Sequence, residues 1–387
     1  MSRMRPERAG SVRRLCVFAR LDAPGMGDLV QRNIFLKLLR EAHPHATLTL
    51  VVGESTARAH RTLLERHGYA DDLLTCPDPV HTPGDPAPPP AFLRTLRDRA
   101  FDLCLVDPDS TGLDAFHAHA AGIPHRVALP TGGPGDASIT HPVRLPPPLL
   151  GRPDLYEYAT GLAVALGLPT PLRAARVVPP FPYTPVADPF PPGDGRRVVV
   201  HPGGAPHWNR RWPAGRYADL CDRLLAEGAR VALIGSPDER GELEALRDTC
   251  AAGGEQRPLV LVPHSLDALA TALASACLVV GNDSAPAHIA AALRVPTVVI
   301  YGPTATEYLW SRIYPLHHGV SLRYPCRTLR RSAHDPAATR CDRGCATAYR
   351  PDGGYPHCLT DLDVSTVWSV VAARLGTSYE HEREATP

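Results

Sequence analysis

The chain has 387 residues, enough for two domains with separate cores. Acidic and basic residues nearly cancel, leaving a formal net charge of +1, so no long-range field gathers nucleic acid or an anionic membrane and any anion has to be held locally. No apolar segment is long enough to cross a bilayer, and Lys37 is the sole lysine among many arginines, a bias that accompanies abundant Ala, Gly and Pro and carries no functional weight.

The basic start, Ser2–Arg14, lacks a signal-peptide core and is expected to fray. Leu15–Arg20 reads as a strand, Asp22–Gly27 as a glycine turn, and Asp28–Ala42 as a helix with Leu29, Val30, Phe35, Leu36 and Leu39 on its apolar face. Thr47–Val52 is the next strand, after which Ser55 can cap a helix through Glu65. Cys76–Pro90 is proline-rich and polar and reads as a loop. Asp102–Asp107 is a further strand, with a short one inside Ile123–Leu129. From Leu145 to Pro192 prolines recur so often that only Leu155–Leu166 fits a helix, and the domain boundary belongs here.

The second half begins with a strand at Arg197–His201, a loop at Pro202–Pro213 and a helix at Ala214–Glu227. A strand at Arg230–Ile234 then ends in Gly235-Ser236-Pro237. A helix through Thr249, a strand at Pro258–Val262 and a helix at Ser265–Ser275 follow. Regular alternation of this kind points to a parallel sheet covered by helices on both faces. After Tyr314 the pattern fails until a helix near Val364–Leu375.

Chemistry concentrates in Ala276–Thr304. Two hydrophobic runs of strand length, Cys277–Val280 and Thr297–Tyr301, flank an alanine-rich helix and read as a βαβ unit, whose loops at the carboxyl ends of the strands are where ligands bind. In Gly281-Asn282-Asp283-Ser284-Ala285-Pro286-Ala287-His288, Ser284 or Asp283 can cap the helix and Pro286 suits its first turn. The helix end then offers N–H groups and a positive dipole to phosphate, or is simply a well-capped structural helix. Gly302-Pro303-Thr304 supplies a second turn at the same sheet edge.

The run from Gly281 to Thr304 resembles the donor-site signature of the heptosyltransferase-like glycosyltransferases, family 9. Other segments agree in the right order: Gly25-Met26-Gly27-Asp28 after the first strand, His201-Pro202-Gly203 through Arg210-Arg211-Trp212-Pro213, and Gly235-Ser236-Pro237. The resemblance implies an α/β protein of GT-B architecture, two Rossmann-like doubly wound domains facing across a cleft. An acceptor domain at 1–180, a nucleotide-sugar domain with a Cys-rich loop at 181–360, and a C-terminal helix and tail at 361–387 that can cross back towards the first domain are expected. It also implies inverting, metal-independent transfer from a nucleotide-diphospho-sugar, ADP-heptose in the best-known members, to a glycan or glycolipid hydroxyl, without a cofactor.

Carried over, the resemblance makes Asp28 the general base, with Gly25 and Gly27 as the turn that lets the acceptor approach; Asp28 also reads as an N-cap. Asp283 would meet the donor sugar or its diphosphate surroundings. Ser284, with the backbone at Ala285, would meet the phosphates, as would Thr304, and His288 the phosphates or the leaving group; a buried, satisfied histidine is the other reading of His288. Glu239 is placed at the nucleotide ribose or, equally, as a solvated helix-start acid. Two positions depart from the family: Ala285 stands where it has glycine, and Arg210 where it has lysine, a planar fork in place of a point cation.

Of the ten cysteines, six (Cys16, Cys76, Cys104, Cys221, Cys250 and Cys277) fall in or beside core elements, which fits a cytoplasmic, reducing location. Cys326, Cys341, Cys345 and Cys358 cluster in the irregular region as a zinc set of non-standard spacing or as a loop clamp. No nucleic-acid partner, at most peripheral membrane contact and a monomeric state are expected. The competing readings are an inactive binding protein on a transferase scaffold and a dinucleotide-dependent oxidoreductase, for which Val30 stands where the third glycine should be.

Overall fold

The computed structural model describes residues 12–19, 25–66, 70–77, 88–107, 113–130, 132–146, 155–170, 172, 180–204, 210–302, 313–322, 324 and 356–376. They form two compact units, the first running to Pro182 and also taking in Ile313, the second holding the remainder.

In the first unit, β1 (Arg14–Phe18), β2 (Thr47–Gly53), β3 (Asp72–Cys76), β4 (Leu103–Val106), β5 (His125–Ala128) and β6 (His141–Pro142) form one sheet in the order β3-β2-β1-β4-β5-β6. Every pairing is parallel; Phe18 lies opposite Val51 on one side and Val106 on the other. The central strands are buried on both faces, which is why they read as unbroken apolar runs rather than alternating ones. Its helices are α1 (Met26–Ala42), α2 (Glu54–Arg66), α3 (Pro90–Arg99), α4 (Leu113–Ala120) and α5 (Leu155–Leu166).

In the second unit, β7 (Arg197–His201), β8 (Arg230–Ile234), β9 (Leu259–Leu261), β10 (Leu278–Asn282), β11 (Thr297–Ile300) and β12 (His317–Val320) form a parallel sheet in the order β12-β11-β10-β7-β8-β9. Counted from its own first strand, this is the strand order of the first sheet. Its helices are α6 (Ala214–Ala226), α7 (Arg240–Thr249), α8 (Leu266–Ala274), α9 (Ala285–Ala292), α10 (His357–Thr360) and α11 (Val364–Leu375). The strand order reverses between β1 and β4 in one sheet and between β7 and β10 in the other, and ligands of such sheets sit at the carboxyl ends there.

Several elements differ from the sequence reading. Helix α1 begins at Met26, so Gly27 and Asp28 lie in its first turn. Gly25 precedes it at φ −72°, ψ 166°, an extended conformation open to any residue, so no glycine turn is needed here. Helix α3 starts at Pro90, where a missing N–H costs nothing, just after the stretch read as loop. Strand β12, His-His-Gly-Val, lacks the composition of a strand and forms because β11 offers it a parallel edge. Val364, Val367, Val371 and Leu375 of α11 belong to the second core together with Val198, Leu220 and Val298.

Candidate functional site

In the second unit the loops after β7 and β10 are sewn together by one residue. Asn282, fully buried at the end of β10, accepts hydrogen bonds from Trp212 N (3.1 Å) and Tyr217 Oη (2.8 Å). Its amide donates to Pro202 O (2.7 Å) and Gly203 O (2.9 Å). All four capacities of the side chain are spent on holding two loops in register. Gly281 beside it is required by close approach: a Cβ there would meet His201 O at 2.8 Å.

The next residue gathers the charged groups. Arg210 donates to Asp283 O (3.2 Å) and lies 3.4 Å from Asp283 Oδ2, while His288 Nε2 lies 3.8 Å from Asp283 Oδ1. Asp283 and His288 are buried and Arg210 is half-buried, so a carboxylate at the base of the site holds a guanidinium and an imidazole in place. Ser284 is the N-cap of α9, extended at φ −154°, but its hydroxyl makes no capping hydrogen bond, contrary to the capping expected of it. Ala285 is the first helical residue. Pro286 has no N–H and Ala287 N–H is taken by Ser284 O (3.1 Å), so this end has fewer donors to offer than an ordinary helix terminus.

Glu239 ties the loop after β7 to the loop after β8. Its Oε1 accepts from Gly204 N (3.1 Å) and Arg211 Nη2 (3.1 Å), and its Oε2 from Ser236 N (2.8 Å) and Ser236 Oγ (3.0 Å). Burial raises its pKa, but the Ser236 and Gly204 N–H groups and neighbouring His201 together bring it below the ordinary value. The carboxylate fills the space a side chain at Gly203 would need, since a Cβ there would fall 2.1 Å from Oε1. Arg211 also reaches Gly204 O (2.7 Å) and Glu242 Oε2 (2.6 Å), so it is Arg211 that clamps the loop and Arg210 that faces Asp283.

Behind α9 lies a buried aromatic and histidine layer. His317 bonds Thr297 Oγ1 (3.2 Å) and Tyr301 Oη (2.8 Å). Burial, reinforced by His288 and opposed by Asp283, pushes its pKa down to about 3, so the ring is neutral.

In the first unit Asp28 is half-buried at the carboxyl end of β1, and its Oδ2 accepts the Gly25 N–H (2.8 Å). One turn along α1, buried Arg32 is ion-paired with buried Asp107, the residue after β4. The pair therefore bridges β1's helix to β4 at the point where the strand order reverses. Sequence reasoning missed it, although Arg32 falls three residues after Leu29 and three before Phe35, on the apolar stripe where a charge demands a partner. It also missed Arg211 as the clamp and Asn282 as the stitch, the latter visible only as the polar residue ending an apolar strand. Thr304, Cys326, Cys341 and Cys345 lie outside the described residues. Cys358 is buried in the second core, and among the described residues no group of three or more His, Cys, Asp or Glu is placed to hold a metal.

A family model for glycosyltransferase family 9 (heptosyltransferase) matches residues 90–332. The chain belongs to glycosyltransferase family 9. This family 9 enzyme is 26% identical over 298 residues to lipopolysaccharide heptosyltransferase 2 of Escherichia coli K12, covering 73% of this chain and 82% of that protein. Against lipooligosaccharide heptosyltransferase 2 of Haemophilus influenzae the identity is 34% over 117 residues, 30% of this chain and 34% of that protein. Among solved structures, the E. coli ADP-heptose LPS heptosyltransferase II superposes with a TM-score of 0.61 at 20% identity, covering 96% of this chain and 100% of that one. The E. coli heptosyltransferase WaaC with ADP-2-deoxy-2-fluoro heptose gives 0.59 at 17% identity, covering 93% and 99%. The fold of this glycosyltransferase is thus GT-B, two Rossmann-like doubly wound domains. Among the described residues no helix is long and apolar enough to cross a membrane.

Proposed function

We propose that this glycosyltransferase moves a heptose from ADP-heptose to a hydroxyl of a lipopolysaccharide core, with inversion at the anomeric carbon. The observation that carries the reading is the Arg210–Asp283–His288 group at the strand-order reversal of the second sheet. A cation and an imidazole held by a buried carboxylate supply charge where a diphosphate leaves, in the place a doubly wound sheet binds nucleotides. Asp283 then acts by orienting Arg210 and His288, and Arg210 answers the charge that develops on the leaving oxygen.

Asp28 takes the proton of the acceptor hydroxyl as it attacks. One carboxylate oxygen is fixed by Gly25 N–H, which leaves Oδ1 for that proton. Ser284 Oγ and the Ala285 and Thr304 positions complete the phosphate contacts. Transfer needs no cofactor and no resident metal, and it takes place on the cytoplasmic side of the membrane, with the enzyme a monomer touching the lipid surface only peripherally.

The test is sugar transfer from ADP-heptose to a heptose-free lipopolysaccharide core, with GDP-, UDP- and dTDP-sugars as competing donors. Asp28→Asn is expected to abolish transfer while ADP still raises the Tm by mass action. Full turnover by that variant removes Asp28 from the mechanism, and stabilisation by another nucleotide but not by ADP overturns the donor.

A further inference from the structure

The carboxylate beside His288 does not fix the plane of its ring. Nε2 stands 3.8 Å from Asp283 Oδ1, beyond hydrogen-bond length, so Asp283 attracts the imidazole without giving it a direction. The ring also meets Tyr314, with centroids 6.4 Å apart and planes inclined by 44°, within the range of an aromatic contact. Tyr314 meets a second imidazole, that of His317, at 6.1 Å and 42°. Its backbone is tied to the same residue: Tyr314 O accepts the His317 N–H at 3.1 Å, which closes the turn into β12.

His317 in its turn has no freedom to follow a shifted neighbour. One ring nitrogen bonds Thr297 Oγ1 at the start of β11 and the other bonds Tyr301 Oη just past its end. Thr297, Tyr301 and Tyr314 are fully buried, and His288 and His317 nearly so. Side chains packed at such density hold one another in single rotamers. A rigid layer thus runs from β11 through His317 and Tyr314 to His288. Helix α9 fixes the backbone of His288, Asp283 supplies the attraction, and Tyr314 supplies the surface on which the imidazole lies.

We propose that Tyr314 is a positioning residue for His288, its ring setting the tilt at which the imidazole is presented to the leaving diphosphate. The inference rests on the transferase reading above and deepens it, since His288 acts there on the departing nucleoside diphosphate. The contact is made by the ring of Tyr314, so phenylalanine preserves it. An aliphatic side chain removes the flat surface and lets the imidazole turn about its side-chain torsions. Misplacing a group at the reacting bond by about 1 Å is enough to cost on the order of a hundredfold in rate.

The test compares the full-length wild type with Tyr314→Phe, Tyr314→Leu and Tyr314→Met, each alone and combined with His288→Gln. ADP-heptose and heptose-free lipopolysaccharide core are the substrates, at a temperature where every variant is folded. Methionine fills more of the space than leucine, so the comparison survives a leucine variant that does not fold. Expected for the aliphatic variants is a fall in kcat of about tenfold or more, with the acceptor KM within about twofold. Tyr314→Phe should keep kcat within about twofold of the wild type, even where loss of the hydroxyl lowers the Tm. In the His288→Gln background the Tyr314 substitutions should cost no further rate, because residues that act as a unit are not additive. Equal losses with and without His288 overturn the role of Tyr314, as does a Tyr314→Phe as slow as the aliphatic variants or a rate loss that merely follows the Tm. A His288→Gln enzyme as fast as the wild type removes His288 from the donor site, and this inference with it. A wild type that transfers no sugar overturns the transferase reading itself.

Discussion

The Tyr217 hydroxyl donates to Asn282 Oδ1 at 2.8 Å, so a helix residue 65 positions earlier in the chain helps fix the end of the strand from which the Asp283 loop departs. The same oxygen takes the Trp212 N–H, and the indole of Trp212 stands edge-on to Tyr217 at 5.1 Å. Asn282→Leu should leave the Tyr217 hydroxyl and the Trp212 N–H buried and unsatisfied, at about 1–3 kcal/mol each. Chemical denaturation should show a loss of that order, larger than the ~1 kcal/mol expected for Tyr217→Phe, which removes one bond and leaves the rest.

Breaking the Arg32–Asp107 pair should be costly in either direction. Asp107→Leu or Arg32→Met alone strands a buried charge and should destabilise by about 3–5 kcal/mol, whereas the double variant should recover most of the loss. A double-mutant cycle in urea measures the difference. A double variant whose loss equals the sum of the two singles would mean the pair carries no coupling.

Gly203→Ala should act through Glu239. The new methyl would displace a carboxylate that holds two backbone N–H groups, so ADP affinity should fall with stability. Glu239→Ala in the Gly203→Ala background relieves the clash, and the double variant should be more stable than the sum of the two singles predicts, read by thermal unfolding.

Arg210→Met should weaken ADP binding by about tenfold or more, as expected when a charge-assisted contact worth 1.5–3 kcal/mol is lost. Arg210→Lys keeps the charge, so it should retain most of the affinity. Calorimetric titration with ADP distinguishes the two.

His317 gives the second unit a pH dependence of known sign. Its folded pKa of about 3 lies below the ordinary value of 6.5, so between these limits the unfolded chain binds the extra proton. Stability should therefore rise with pH through that window, by at most about 1.4 kcal/mol per pH unit, and level off above 6.5. His317→Asn should flatten this part of the Tm-against-pH curve.

Much of this was legible in the sequence where local chemistry and strand pattern coincide. The run His201 to Trp212 and the run Asn282 to His288 could be placed at a sheet edge because apolar strands end there in Gly, Asn and Asp. Position in sequence could not say which of two adjacent arginines turns inward, and Arg211 rather than Arg210 proved to be the clamp on Glu239. Nor could it pair Arg32 with Asp107, since that contact exists only after β1 and β4 are laid side by side. Helix α3 was hidden by the prolines before it, and β12 by two histidines and a glycine that have no strand preference of their own.

The packing of α11 has a consequence for the order of synthesis. Trp212 Nε1 donates to Leu362 O at 2.9 Å, and Val367 and Val371 close the core on which α6 rests. The first unit's sheet is complete by Pro142, so it can fold while the ribosome is still working, as N-terminal domains do. The second unit has no such freedom. Its loop at Trp212 acquires the Leu362 acceptor only when the segment leading into α11 emerges, so a newborn chain passes through a stage with the first sheet formed and the second core still open. Ribosomal arrest just before Val364 should trap that half-built state.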